Sequence, residues 1–299
     1  MNAWFFFSIA APLFWAFSNV LDSALRRRFI PDDGVMTWLV PLGRLPFAVF
    51  GLLWVGLDGV AWGPFWAMLL SGAVWMTPFF PYYRALQLEE TSRVILLLQM
   101  CSIFILILAF FILDERLTVQ QFVAFWLILL GGVLISFKRS HRAWHFSKAF
   151  WLAMVASFLW ALADVLFKKW IGFFPNFWQG FFVYLMGCSL TGIFMLCSSS
   201  LRKNIKRHIG GLPREAWKLI VLNQTLGVFG MLSFSVALTL GKASLTQVFG
   251  EFQAVFVFLF SLILASFYPW VTKEETNRSA LMVKGFSFLI LSVGVFYLF

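Results

Sequence analysis

Residues 246–267, TQVFGEFQAVFVFLFSLILASF, have the length and apolar character of a membrane-spanning helix, but Glu251 stands in their first third, with Gln247 and Gln253 close by. An acidic side chain at the centre of a bilayer helix costs about 3 kcal/mol on insertion scales. Such a side chain therefore normally faces a polar cavity or a partner instead of lipid. This stretch predicts a membrane helix whose carboxylate has a function or a partner.

The composition of the whole chain places that helix in an integral membrane protein. Of its 299 residues, 61% are hydrophobic and 12% are charged, and the mean hydropathy is +0.87. These values lie outside the range of ordinary soluble domains. The net charge of +10 comes mostly from Lys and Arg in short loops between apolar runs, where basic residues set membrane topology. We therefore predict membrane lipids as partners and no nucleic-acid binding.

The cysteines and the N-terminus carry no sign of a disulfide-rich secreted protein. Cys101, Cys188 and Cys197 lie in apolar runs without metal-ligand spacing. Packing is their predicted role, and neither a disulfide framework nor a metal site is expected. Three arginines follow the first apolar stretch and none precedes it. This polarity is wrong for a cleaved signal peptide and predicts a retained first helix.

Ten apolar runs have the length of one membrane crossing, which takes about twenty residues in a helix. None has the alternating pattern of a barrel strand, and only helices or closed barrels satisfy the backbone in lipid. The sequence thus predicts an all-α integral membrane protein with ten transmembrane helices, at about residues 3–21, 35–57, 61–82, 92–113, 118–137, 149–167, 176–197, 217–240, 244–268 and 280–298.

The two halves of the chain resemble each other, as in many transporters. A shift of 145 residues pairs Asn19 with Asp164. A shift of 152 residues pairs Gln99 with Glu251. The similar segments are 5–21 and 150–166, 84–104 and 236–256, and 125–137 and 287–299.

We therefore predict two domains of five helices each, residues 1–140 and 141–299. Because each half has an odd number of crossings, the second half must run through the membrane in the opposite sense. The predicted architecture is a pair of inverted five-helix repeats. A mechanism that alternates access between the two sides of the membrane follows from it.

Basic residues in the loops predict the orientation. Loops after the odd-numbered spans hold 18 Lys and Arg residues, and loops after the even-numbered spans hold 4. By the positive-inside rule, both termini lie outside the cytoplasm, and we expect the protein in a bacterial inner membrane. The basic connection 198–217 is either an amphipathic segment on anionic headgroups or a topogenic loop. The same two interpretations apply to residues 138–148, which link the two halves.

Residues 82–136 carry a family resemblance. An Ala-Leu step, a segment of small residues, an apolar helix, the acidic turn DERLT (114–118) and a helix with a Gly-Gly pair follow one another. This order resembles the end of an EamA-type domain of the drug/metabolite transporter superfamily. The second half repeats it more loosely, with EETNR (274–278) near the place of the acidic turn.

The resemblance implies a ten-helix carrier with a central cavity that moves small metabolites such as amino acids or nucleotide sugars. Two features depart from the family. Its helix often carries a proline where this chain has Ser102 and Ala254. Members are also commonly described with both termini in the cytoplasm, whereas the loop count here predicts the opposite.

Polar residues inside the predicted spans are the candidates for substrate binding or coupling. They are Glu251, Asp164, Gln247, Asn19, Gln99, Arg44, Asn223 and Gln224, joined by Tyr82 and Tyr83 at the end of the third span. Burial favours the neutral form of a carboxyl group, so Glu251 or Asp164 could exchange a proton near neutral pH. Gln247 lies four residues before Glu251, so both are expected on one helical face, with Gln253 bonded to a neighbouring helix.

Each candidate also has a structural alternative. The amides could be hydrogen-bonding contacts between helices, which contribute roughly 1 kcal/mol each in membranes. The carboxylates could form a static ion pair with Arg44, because buried charges usually pair. Tyr82 and Tyr83 could be anchors at the membrane interface.

No catalytic motif, phosphate-binding loop or cofactor motif occurs in the sequence, and the adjacent acids Asp114 and Glu115 have no fixed mutual geometry on a turn. We predict a secondary active transporter of a small polar metabolite, with proton coupling as an option, no cofactor and a monomeric state. One alternative is a flippase or carrier for a lipid-linked or nucleotide-linked head group. A membrane enzyme or a scaffold without transport is the other.

Overall fold

The computed structural model describes residues 3–88, 94, 97–136, 147–267 and 278–298. Helices dominate these ranges, and no strand occurs within them. In chain order the α-helices are α1 Ala3–Arg28, α2 Asp33–Val55, α3 Trp62–Met76, α4 Phe79–Leu88, α5 Met100–Leu113, α6 Val119–Ser136, α7 Lys148–Ile171, α8 Phe177–Met195, α9 Ser199–Ile209, α10 Arg214–Leu240, α11 Ala243–Val248, α12 Phe252–Phe267 and α13 Arg278–Leu298. A 3₁₀ turn, Phe249–Glu251, joins α11 to α12.

Several of these helices can cross a membrane. In the described ranges, 6 stretches are long and apolar enough, and they lie in α1, α2, α7, α8, α10 and the segment Ala243–Phe260. Shorter apolar helices cover Met100–Leu113, Val119–Leu134 and Gly285–Leu298. The predicted all-α integral membrane class is confirmed. Helical residues occur in every predicted span, while the count of ten crossings and the inverted repeat stay predictions.

The third predicted span is divided into two helices. α3 ends at Met76 and α4 begins at Phe79, so Thr77 and Pro78 form the turn between them. Proline has no backbone N–H and disfavours helical geometry in the residue before it, which accounts for a break at this point. Tyr82 and Tyr83 consequently lie within a separate helix instead of closing a continuous one.

The ninth predicted span is also interrupted. Residues 249–251 form a 3₁₀ turn with Gly250 at its centre, and glycine is a poor helix former. A stretch of 3₁₀ geometry inside a longer helix often marks a functional hinge. Glu251 lies in this turn, so the four-residue spacing rule of a regular α-helix does not apply to it. That Gln247 and Glu251 share one face therefore stays a prediction.

The helices pack as neighbouring pairs. α1 contacts α10 and α12, α7 contacts α3, α4 and α5, and α2 contacts α8. α6 contacts α13 along glycines: a Cβ atom on Gly131 would lie 3.0 Å from the carbonyl oxygen of Ser287, and one on Gly294 would lie 3.0 Å from the nitrogen of Ile128. Small residues allow backbones to approach this closely in membranes.

The basic connection between α8 and α10 contains an amphipathic helix, α9. Its apolar side chains Leu201, Ile205 and Ile209 pack against a buried cluster that includes Leu25 and Val35. The exposed side chains on its other face are basic, namely Arg202, Lys203, Lys206 and Arg207. The apolar face of α9 is thus covered by the protein itself, whereas the interpretation as a lipid-bound segment required it to face lipid.

Candidate functional site

The Glu251 cluster consists of Glu251, Ser102, Gln99 and Gly132. Glu251 is 4% exposed, and its Oε1 accepts a hydrogen bond of 3.1 Å from the Ser102 hydroxyl on α5. The Gln99 amide, just before α5, interacts with the same carboxyl group. Oε2 is buried and has no hydrogen-bond partner in the described part of the chain.

Gly132 on α6 makes room for this carboxyl group. A Cβ atom at position 132 would lie 2.4 Å from Oε2 and 2.6 Å from Cβ of Glu251. Contacts this short cannot occur, so any larger residue would displace the glutamate or α6. The glycine therefore determines how closely α6 approaches the 3₁₀ turn.

The Arg44 cluster consists of Arg44, Trp75 and Asp164, from α2, α3 and α7. Asp164 is 4% exposed, and the indole N–H of Trp75 donates a hydrogen bond to its carboxylate. The guanidinium carbon of Arg44 lies 5.1 Å from the centre of the Trp75 ring, within the range of a cation–π contact. Trp75 thus lies between the buried guanidinium group of Arg44 and the buried carboxyl group of Asp164.

Arg44 has few partners of its own. It is 4% exposed, and its Nη1 donates to the carbonyl oxygen of Val40, in the same helix, at 2.7 Å. Its Nε is buried without a hydrogen-bond partner. Among the described residues, no carboxylate lies within salt-bridge distance of Arg44. The alternative of a static ion pair with Glu251 or Asp164 is therefore absent from this conformation.

Aromatic rings line the Arg44 cluster on the side of α4. Trp160 lies one helical turn before Asp164 on α7, and its ring centre is 5.9 Å from that of Tyr82 and 5.4 Å from that of Phe79. The ring centres of Tyr82 and Tyr83 are 5.0 Å apart. Both tyrosines are half-buried. Tyr82 packs against Trp160 and Tyr83 against Phe79, and both the substrate-contact and the anchor interpretations stay predictions.

Cys101 connects the two clusters. It is buried on α5, next to Ser102, and lies within electrostatic range of both Asp164 and Glu251. Each of the two carboxyl groups therefore lies within electrostatic range of the same buried cysteine. Tyr184 of α8 lies within electrostatic range of both Asp164 and Arg44.

Asn223 forms hydrogen bonds between two helices. Its Nδ2 donates to Oδ1 of Asp22 at 2.6 Å, and its Oδ1 accepts from the Ser18 hydroxyl at 2.6 Å. Asn223 thereby bonds α10 to α1, as the structural alternative proposed. Asp22 is not among the predicted candidate residues because it lies one residue beyond the predicted end of the first span, whereas α1 continues to Arg28.

The remaining candidates are less engaged. Gln224 packs over Gly43, where a Cβ atom would lie 2.4 Å from its Cγ. Gln247 is half-buried and Asn19 is exposed on the surface of α1. Gln253 is half-buried and forms no hydrogen bond within the described ranges, so the expected bond to a neighbouring helix is not found.

Two further features are separate from these clusters. An apolar groove lies on the outer surface between α2 and α8, lined by Phe47, Phe50, Trp54 and Phe182. It contains none of the candidate residues and has the character of a lipid-facing surface. Among the residues placed by the structure, no group of three or more His, Cys, Asp or Glu side chains is arranged to hold a metal ion.

Comparisons with known proteins agree with this architecture. A protein of known crystal structure superposes on the chain with a TM-score of 0.72 at 17% sequence identity, covering 99% of this chain and 95% of its own. At that identity the likeness shows a shared fold. No curated protein sequence matches the chain significantly.

A family model provides the assignment. Residues 2–137 match the model of the EamA-like transporter family. This range contains α1 to α6, the acidic turn and the Gly-Gly helix on which the sequence resemblance rested. Over residues 2–137 this match confirms the resemblance to the drug/metabolite transporter superfamily.

Proposed function

We propose that the protein is a secondary active transporter that moves a small polar metabolite, such as an amino acid or a related solute, by alternating access. Glu251 is the coupling group and exchanges a proton. The buried region around Arg44, Trp75 and Asp164 receives the solute. A transporter domain in the first part of the chain supports the general class, and the two polar clusters support the division of roles.

The position of Glu251 carries this proposal. Its carboxyl group is buried at an interruption of a membrane helix, and no cation lies within salt-bridge distance of it among the described residues. A buried carboxylate without a cation is costly. A group that is neutral when the site is closed and charged when it opens to water is what proton coupling requires.

Contacts between repeat-related residues support alternating access. Gln99 and Glu251, which the shift of 152 residues pairs, interact with each other. Groups related by a two-fold axis can touch only near that axis, so the contact supports a coupling site between two inverted repeats.

Two ring pairs follow the same shifts. Trp160 lies 5.9 Å from Tyr82, and their shifted counterparts Trp15 and Phe234 have ring centres 5.3 Å apart. Both pairs join the first helix of one half to the third span of the other. This agreement is a further argument for the inverted repeat.

Transport in proteoliposomes tests the proposal. A metabolite panel that includes the amino acids is offered to the wild type with and without an imposed pH gradient, and Glu251→Gln is measured in parallel. We expect the gradient to drive accumulation in the wild type, and Glu251→Gln to exchange solute without responding to the gradient. Gln253→Ala is the matched control, because Gln253 lies two residues away without a hydrogen bond.

Two outcomes contradict the proposal. Gradient-driven accumulation by Glu251→Gln at the wild-type level would remove Glu251 from coupling. Failure of the wild type to transport any panel solute would count against a small polar substrate and favour the flippase alternative. That alternative needs a headgroup pocket open to lipid, whereas its buried basic candidate, Arg44, lies against Trp75.

The proposed location is a bacterial inner membrane with both termini outside the cytoplasm. The support is the excess of basic residues in loops after odd-numbered spans, which include the exposed cations of α9. Labelling of single cysteines in intact cells tests it, with Cys197 first replaced by Ser. An impermeant thiol reagent should label a cysteine at Gly172 and spare one at Gly211; the reverse pattern would invert the orientation.

A further inference from the structure

Arg44 is a buried cation whose hydrogen-bonding capacity is largely unused. The guanidinium group has five N–H donors in a fixed fork, yet among the described residues only Nη1 donates, and it does so to its own helix at Val40. Nε is buried without a partner. A buried charge in a membrane protein ordinarily pairs with an opposite charge.

Asp22 and Asp164, the acids considered as partners of Arg44, bond to other side chains. Asp22 is in electrostatic range of Arg44, but its Oδ1 accepts the Asn223 amide at 2.6 Å. Asp164 accepts the indole N–H of Trp75. Neither carboxylate reaches salt-bridge distance of the guanidinium in the described part of the chain.

We propose that Arg44 recognises an anionic group of the transported solute, a carboxylate in the simplest case. This inference rests on the proposed function and assigns the solute a negative charge. The carboxylate binds along the Nε and Nη2 edge of the guanidinium group, because Nη1 is already bonded to Val40 and Trp75 covers one face of the fork. Arginine binds carboxylates in this bidentate way, with two parallel hydrogen bonds.

Two further ionisable groups, Asp164 and Tyr184, lie around Arg44 and Trp75. Trp75 links the arginine to Asp164, and Tyr184 lies within electrostatic range of both charges. A ligand carboxylate at Arg44 would neutralise the buried cation, so its binding removes an electrostatic cost as well as adding hydrogen bonds. A ligand amide of the same shape offers one acceptor oxygen and no charge. It would therefore leave the positive charge of the Arg44 guanidinium group unneutralised.

Matched ligands distinguish charge recognition from shape. The probes are the twenty amino acids, their primary amides and the corresponding acids without the amino group, each tested for a rise in the melting temperature of the purified protein, because a ligand that binds the folded state raises it. We expect at least one acid to stabilise the wild type while its amide does not. For that acid, loss of two charged hydrogen bonds should make Arg44→Gln bind at least about 100-fold more weakly.

Arg44→Lys keeps the charge and removes the fork, so it covers the case in which Arg44→Gln does not fold. We expect it to bind the acid more weakly than the wild type does. Arg116→Gln is the control for loss of a positive charge, since Arg116 lies on the exposed acidic turn with a side chain 76% exposed.

Three results would overturn the inference: an amide that stabilises the wild type as well as its acid, an acid that binds Arg44→Lys or Arg44→Gln as tightly as the wild type, or a panel in which no acid binds. The first two leave transport intact and so refute the role of Arg44 alone. Failure of the wild type to transport any solute in proteoliposomes refutes the proposed function instead.

Discussion

Glu115 pairs with Lys168 between the two halves of the chain, with 2.5 Å between Oε1 and Nζ. The other carboxylate oxygen of Glu115 accepts a hydrogen bond of 2.8 Å from the backbone nitrogen of Ala243, the first residue of α11. Lys242 extends the contact by donating to the Gln121 side chain at 2.7 Å. The acidic turn after α5 therefore holds the start of the segment that carries Glu251.

Glu115→Ala should destabilise the protein more than Glu115→Gln, which keeps an acceptor for the Ala243 N–H. The Glu115 and Lys168 side chains are 11% and 19% exposed. We expect Glu115→Ala to lower the free energy of unfolding by about 1–3 kcal/mol. This value lies between those for surface and for buried ion pairs. The measurement is thermal unfolding in detergent.

The matched control for that prediction is Asp114→Asn. Asp114 precedes Glu115 directly, but its side chain is 86% exposed and pairs only loosely with Arg116, at 3.6 Å. Asp114→Asn should therefore change the thermal unfolding of the protein little. If Asp114→Asn destabilised the protein as much as Glu115→Ala, the contacts of Glu115 would not explain the result.

Gly132→Ala should lower stability and impair transport together. The added methyl group would lie 2.4 Å from Oε2 of Glu251, and overpacking of this kind costs about 1–3 kcal/mol. Gly227→Ala is the control, because no atom lies within 4 Å of its Cβ position. Unfolding and proteoliposome uptake are measured for both variants, and equal behaviour would contradict the steric role of Gly132.

Ser102→Ala should weaken the Glu251 cluster. It removes the hydroxyl that donates to Oε1, and a hydrogen bond to a neutral carboxyl group contributes about 0.5–1.5 kcal/mol. Ser71→Ala is a control of equal burial, since the Ser71 hydroxyl donates only to the Ala67 carbonyl of its own helix at 2.7 Å. We expect a lower melting temperature and an altered response to the pH gradient for Ser102→Ala alone. If Ser102→Ala responded to the pH gradient as the wild type does, the bond from Ser102 would have no role in coupling at Glu251.

Trp75→Phe should affect the Arg44 cluster through one hydrogen bond. The phenyl ring still covers Arg44, but the indole N–H that reaches Asp164 is lost, at an expected cost of about 1.5–3 kcal/mol. Trp38→Phe provides the comparison, because the buried Nε1 of Trp38 has no hydrogen-bond partner in the described residues. A melting temperature lowered equally by both changes would show that ring size, and not the bond to Asp164, matters at Trp75.

Sequence patterns around Glu251 predicted part of its surroundings. The shift of 152 residues aligned this acid of an apolar run with Gln99, and in the structure the two residues interact. The four-residue spacing that relates Gln247 to Glu251 assumes a regular helix, whereas the chain forms a 3₁₀ turn at residues 249–251.

The sequence by itself determined the class of the fold. In lipid each segment must satisfy its own backbone hydrogen bonds, so length and apolar composition are enough to predict membrane helices. Only the tertiary structure decided the partners of the polar side chains. Asp22 meets Asn223 from 201 positions away, and Glu115 meets Ala243 from 128, because helix packing sets these contacts and no local pattern encodes them.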